Sequence, residues 1–144
     1  MNILTQLQKW SVPTPITPEL PTQEHIISLE NYLTLTLPDS YKMYLLNYSN
    51  LSIGTFELYL PIADNSYLDI YEAIKEARAM GLPKYLVPFL GDNNYYYCFD
   101  TQKRTTTDYE VVVWNNGLTG EKWINFLEWV EHCWLAETKK MSKS

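Results

Sequence analysis

The chain has 144 residues, 46% hydrophobic and 15% aromatic, with 17 acidic side chains against 11 basic ones and a net charge of −6. This length fits one domain spanning residues 1–144, and the apolar content excludes a disordered polymer. The charge counts against nucleic acid as a direct ligand, since such binders neutralise phosphates with a basic patch; taken alone it reads first as solubility, and where clustered it favours fast association with a basic protein partner.

Ile3, Leu4, Leu7 and Trp10 recur at helical spacing and predict a short N-terminal helix. Pro13, Pro15, Pro18 and Pro21 follow, so residues 1–21 read as that helix and an extended proline-rich lead-in. Thr22 is placed to cap a helix from Gln23, with Ile26, Leu29 and Leu33 as its apolar stripe. Pro38 suits the first turn of the next helix, whose stripe is Tyr41, Tyr44, Leu45 and Tyr48. From Thr55 the residues alternate, Phe56, Leu58 and Leu60 against Glu57 and Tyr59, which predicts a half-buried strand closed by Pro61. Asn65 or Ser66 can cap a helix carrying Leu68, Tyr71, Ile74 and Ala77, which Gly81 and Pro83 terminate.

Leu86–Leu90 then leads into the stretch on which the other elements must pack. Two runs rich in aromatic and β-branched residues, Tyr95–Phe99 and Val111–Trp114, flank a polar link from Thr101 to Tyr109 and predict a central antiparallel hairpin. Gly91, Asp92, Asn93 and Asn94 read as a turn, with Gly91 free to take positive φ. Asn115-Asn116-Gly117 is a second turn. A last helix is expected from about Glu121 to about Glu137, with Trp123, Phe126, Leu127, Val130 and Trp134 on one face. Residues 138–144 read as a flexible tail. Together these elements predict an α+β domain, an antiparallel sheet with helices packed on one face and a long C-terminal helix.

Chemistry-bearing residues are sparse. His25 and His132 are the only histidines and belong to no metal-binding pattern. Cys98 and Cys133 lie in apolar runs and make neither a disulfide framework nor a four-ligand zinc site. No enzyme activity, metal or cofactor is expected. Asp92 and Asp100 bracket the central strand, either as an acidic pair or rim or as a turn former and a strand-end cap. Tyrosine, at 12 residues, is the least ordinary feature. Much of it must be core, but Tyr95, Tyr96 and Tyr97 are consecutive on a strand and so must divide between its faces. An exposed Tyr59, Tyr96 and Trp114 on one face would make an anchor surface of the kind enriched in protein interfaces. No apolar stretch approaches the roughly 20 residues of a membrane span, and the N-terminus lacks signal-peptide features. A cytoplasmic location is expected.

Three motifs, in order, resemble the SUKH superfamily, named in part for a yeast regulator of cell-wall assembly and abundant in bacteria as immunity proteins. Glu30 with Leu37-Pro38-Asp39-Ser40-Tyr41-Lys42 is similar to its helix followed by "LP-x-x-Y-K". Leu86-Val87-Pro88-Phe89, Gly91-Asp92 and the tyrosine-rich strand ending at Asp100 resemble its central core. Glu110–Trp114 followed by Trp123-Ile124-Asn125-Phe126-Leu127 resembles its valine-rich strand and "sFxeFL" helix. The typical Asn-Gly-Gly turn after the second helix is here Asn47-Tyr48-Ser49-Asn50-Leu51, and Asn93-Asn94 replace a glycine often present in the Asp92 turn. The resemblance implies an immunity protein that neutralises a cognate toxin, often a nuclease, by direct binding. The alternative, as the yeast branch suggests, is a regulatory scaffold that binds host proteins without a toxin partner. Charge and aromatic content nominate Glu57, Tyr59, Asp92, Tyr96, Asp100 and Glu110 as partner-binding residues toward a basic toxin domain.

Overall fold

Leu86–Asp92, Tyr95–Arg104 and Tyr109–Trp114 pair as the composition predicts. The computed structural model describes residues 2–92, 94–104 and 108–142. Its strands are β1 (Leu86–Asp92), β2 (Tyr95–Arg104), β3 (Tyr109–Trp114) and β4 (Leu118–Trp123), antiparallel in the order β1-β2-β3-β4. Part of the expected polar link (105–107), Asn93 and the last two tail residues lie outside the described residues. Val87, Phe99 and Val111 stand in register across three strands and face the main core, whereas Pro88, Cys98 and Val112, one residue along, face the other side. The register shifts between Pro88 and Leu90, a bulge that accommodates a proline inside a strand.

The main core lies between this face and the helices α1 (Ile3–Lys9), α2 (Gln23–Leu33), α3 (Asp39–Asn47), α4 (Ile70–Ala79) and the C-terminal helix. Tyr41 sits at its centre, its ring 4.9 Å from Phe99 and 5.3 Å from Phe126. Each such ring contributes about 1.5–3 kcal/mol by burial, and each favourable ring pair about 0.5–1.5 kcal/mol more. The Glu30 and Lys42 of the first motif hold the α2–α3 connection. Glu30 Oε2 accepts from the Leu37 backbone N–H at 2.7 Å and pairs with Lys42 Nζ at 3.5 Å. A smaller cluster of Ala77, Leu82, Leu86, Cys98, Val112 and Trp114 covers part of the opposite sheet face.

Several expectations change. Thr22 caps α2 as predicted, but its box is completed by His25, whose Nδ1 accepts from the Thr22 backbone N–H at 3.0 Å. Pro38 is the cap of α3, one residue before its first turn. Residues 55–60 are not a strand. Tyr59 donates its backbone N–H to the Phe89 carbonyl (2.9 Å) and Leu60 makes a single bridge to Asp69, while the neighbours Leu58 and Tyr59 are both buried. Lying between β1 and the start of α4, the segment buries side chains toward both, so the two-residue alternation has no pairing behind it. Asp69, rather than Asn65 or Ser66, caps α4, accepting from the Tyr71 and Glu72 backbone N–H groups.

The largest change follows Trp114. Asn116 (φ 58°) and Gly117 (φ 145°) turn the chain straight back, so residues expected to begin a helix form β4. The helix starts instead at Phe126, behind an Asn125 cap whose side chain accepts from the Glu128 backbone N–H at 2.9 Å. It runs as α5 (Phe126–Trp129), a π-helical segment (Val130–Leu135) and α6 (Ala136–Ser142), so residues 138–142 of the expected tail are helical and Thr138 itself is buried.

Gly91 does not adopt positive φ; Asn94 does, at 73°. A Cβ at Gly91 would instead overlap the hydroxyl of Tyr59. Gly91→Ala is therefore expected to lower stability by about 1–3 kcal/mol through overpacking, read as a lower denaturant midpoint at unchanged slope. Tyr41→Phe is expected to leave the midpoint unchanged or raise it, because the buried Tyr41 hydroxyl has no hydrogen-bond partner among the described residues. Tyr41→Ala, which empties the centre of the core, should cost about 3–5 kcal/mol.

Candidate functional site

The C-terminal helix covers the sheet incompletely. At the end where β2 and β4 begin, Tyr95, Tyr97, Val113, Glu121 and Trp123 meet Phe56, Asp92 and the helix residues His132, Cys133 and Glu137 around a cleft of about 550 Å³. Strand alternation puts Glu121 and Trp123 on the same face of β4, and Trp123 carries the row of Val111 and Phe99 out to that edge. Three of the four Phe, Tyr and Trp rings that line the cleft adjoin: Tyr97 lies 5.8 Å from Phe56 and 6.1 Å from Trp123. Tyr95, at the start of β2, is 43% exposed.

The helix side of the cleft follows from tryptophan spacing. Trp129 and Trp134 are both buried, as are Val130 and Leu135. Each pair is five residues apart, which an ordinary α-turn of 3.6 residues would place on different faces. The π-helical turn over Val130–Leu135 brings both pairs inward. His132, Cys133 and Glu137 are thereby left on the cleft side.

Charge in the cleft has one sign. Asp92, Glu121 and Glu137 line it, and no lysine or arginine does so among the described residues. His132 makes its close polar contact with Glu131 (Nε2 to Oε1, 3.3 Å). At the floor, the Cys133 thiol lies 3.9 Å from the Tyr97 hydroxyl. Burial pushes the Cys133 thiol up, with the neighbouring Tyr97 hydroxyl opposing the shift and Glu137 and Glu121 adding to it. Burial likewise pushes the Tyr97 phenol up, followed by Cys133, Glu121 and Asp92. Both groups stay protonated at neutral pH, the opposite of what a nucleophilic thiolate requires.

The six residues nominated from sequence do not form one site. Asp92 lies on this cleft. Glu57 is exposed elsewhere and accepts from the Tyr67 hydroxyl at 2.5 Å. Tyr59, Tyr96 and Trp114 do come together, with Tyr96 and Trp114 6.4 Å apart and Tyr59 against the Tyr96 side of Gly91. Yet Tyr59 is only 9% and Trp114 6% exposed, and Gly81 packs over the Trp114 ring. Only Tyr96 of the three is half-buried; it lies near Met80, its hydroxyl 3.9 Å from the sulfur. The trio therefore belongs to the interior rather than to an exposed anchor.

Asp92 and Asp100 stand at opposite ends of the β1–β2 ladder and make no pair. Asp100, 5% exposed, accepts from the Gln102 backbone N–H at 3.0 Å. Its register partner Glu110 is half-buried and borders a shallow pocket with Lys122. Glu121, Glu137, Tyr97 and Trp123 were missed as site residues. Their signals were the Glu-x-Trp alternation of β4 and the five-residue tryptophan spacing.

A family model described as "SUKH_5: SMI1-KNR4 cell-wall" matches residues 1–135. This chain belongs to the SUKH family. Among solved structures, the SUKH chain resembles the crystal structure of a protein from Pseudomonas syringae pv. tomato, with TM-score 0.80 and 26% identity over 93% of this chain and 97% of that one. A comparison with curated proteins finds no match. Among the described residues, no group of three or more His, Cys, Asp or Glu side chains could hold a metal ion, and no helix is long and apolar enough to cross a membrane.

The shifted thiol yields a test of the cleft's field. At pH 8, Cys133 is expected to react with iodoacetamide several-fold more slowly than an unhindered thiol, and Glu121→Gln with Glu137→Gln to speed it, as followed by mass spectrometry. Buried Cys98 should react only on unfolding. Since folding raises the Cys133 pKa, that group's stabilisation is intact below the unfolded thiol's pKa and is lost as pH rises toward the folded value. Cys133→Ala should flatten that decline in an alkaline denaturation series.

Proposed function

We propose that this SUKH protein is a non-catalytic binding domain that neutralises a cognate basic toxin, in one version a nuclease, by docking on it in the cytoplasm. The observation that carries the reading is the single-sign cleft, three carboxylates among aromatic rings on a chain of net charge −6. A nuclease must present a basic surface to phosphates, and an anionic domain with aromatic contacts is complementary to such a surface. The family resemblance supports the same reading. The Cys133 thiol, pushed up by burial, supports binding over nucleophilic catalysis.

The family's cell-wall description favours a second reading, a regulatory scaffold with host partners. The two differ in affinity and number of partners: one very tight partner for immunity, several modest ones for a scaffold.

Co-expression with the toxin-like product of an adjacent gene separates them. Immunity predicts survival and a stable one-to-one complex, and loss of both would move the assignment to the scaffold. Asp92→Lys and Glu121→Lys, both on the cleft, are then expected to weaken the complex about tenfold or more at low salt and to reduce its salt dependence. Unchanged affinity and unchanged salt response would count against charge-led docking.

A further inference from the structure

The cleft has walls of a particular chemistry as well as a charge. Tyr97, with Phe56 at 5.8 Å on one side and Trp123 at 6.1 Å on another, lines it together with Val113, and Asp92, Glu121 and Glu137 supply acceptors. We propose that this cleft is an arginine anchor, seating one guanidinium group of a protein partner between the aromatic wall and the carboxylates. The proposal rests on the reading of the protein as a partner-binding domain and names the group that the site takes.

Four features favour this occupant. The volume of about 550 Å³ falls in the range of pockets that accept a small organic group, ample for a guanidinium and its carbon stem. Carboxylates without lysine or arginine among them leave a negative charge that a cation neutralises. Aromatic faces attract cations, by about 0.5–2 kcal/mol depending on desolvation, and arginine stacks on them better than lysine because its planar group is weakly hydrated. Finally, several acceptors spread around a cleft match the five N–H donors of a guanidinium fork, whereas an ammonium offers three around a point. His132, which also lines the cleft, makes its close polar contact with Glu131.

The carboxylates also reach the floor electrostatically. Glu121 acts on both the Tyr97 phenol and the Cys133 thiol, with Asp92 adding to the first and Glu137 to the second. An occupant between them would therefore be felt at Cys133, which makes that thiol a built-in reporter.

The test uses three blocked tripeptides, acetyl-Gly-X-Gly-amide with arginine, lysine or citrulline as X, titrated into the whole protein. Binding is read from the indole N–H signal of Trp123 and from protection of Cys133 against iodoacetamide. The arginine peptide is expected to shift the one and slow the other, at least threefold more tightly than the lysine peptide of equal charge, while the citrulline peptide does neither. Glu121→Gln combined with Glu137→Gln should weaken arginine binding tenfold or more, and Trp123→Leu should remove the preference over lysine. A Glu24→Gln control, on the exposed first turn of α2, should change nothing. Equal binding of the arginine and lysine peptides, or arginine binding indifferent to the Glu121 and Glu137 changes, would overturn the proposal. Rescue from a toxin by a chain with a defective cleft would sink the anchor and leave the immunity reading standing. Arginine binding without any rescue would do the reverse.

Discussion

Two tryptophans, five residues apart on one helix, must both be buried. Trp129 lies 4.9 Å from the Phe89 ring, while Trp134 packs 5.6 Å from Tyr44 and donates its indole N–H to the Ile53 carbonyl at 2.9 Å. Leaving either ring exposed would forfeit about 1.5–3 kcal/mol of burial. The π-helical turn follows from that requirement. With it come the course of α6 against Gly54, whose missing Cβ leaves room for the Thr138 hydroxyl, and the placement of His132, Cys133 and Glu137 beside the open end of the sheet. Core packing and cleft are thus two consequences of one constraint.

The same end of the sheet is where the strands leave a surface unclosed. β4 is an edge strand with five exposed residues in a row, and it puts Glu121 and Trp123 on the cleft side without burying its own length. Exposed edges invite pairing with other chains, and charges on them are a common protection. Glu121 and Lys122 serve that role here, and Glu121 at the same time contributes to the cleft's negative field. A partner that brings a cation to this place meets the field first and the rings on close contact, an order that favours rapid association and then selectivity.

Much of the fold was legible because its signals are local. Thr22 caps, Gly81 stops, Asn116-Gly117 turns, and the β2 and β3 runs carry strand residues in the right phase. What escaped depends on contacts distant in sequence. Gly91 looked like a turn glycine, yet its requirement comes from Tyr59, thirty-two positions earlier. Residues 55–60 alternate in hydrophobicity but sit between β1 and α4, so no strand partner exists to reward the pattern. LTGEKW carries little strand signal because an edge strand needs little apolar residue content, and its glutamate, lysine and tryptophan blend into the helical pattern that follows. Of the candidate site, Asp92 alone was found from sequence; the nominated rings of Tyr59 and Trp114 are buried, and the remaining acids are scattered. A site assembled from five separate segments has no sequence motif, and its members read singly as turn, strand and helix-surface residues.

The most direct measurement is hydrogen–deuterium exchange on the protein alone and in complex with its partner. The account predicts slowed exchange concentrated in peptides covering 118–123 and 130–137, with α2 and its exposed residues Ile27 and Tyr32 unchanged. Protection confined to the α2 side, with the cleft peptides exchanging as in the free protein, would contradict it.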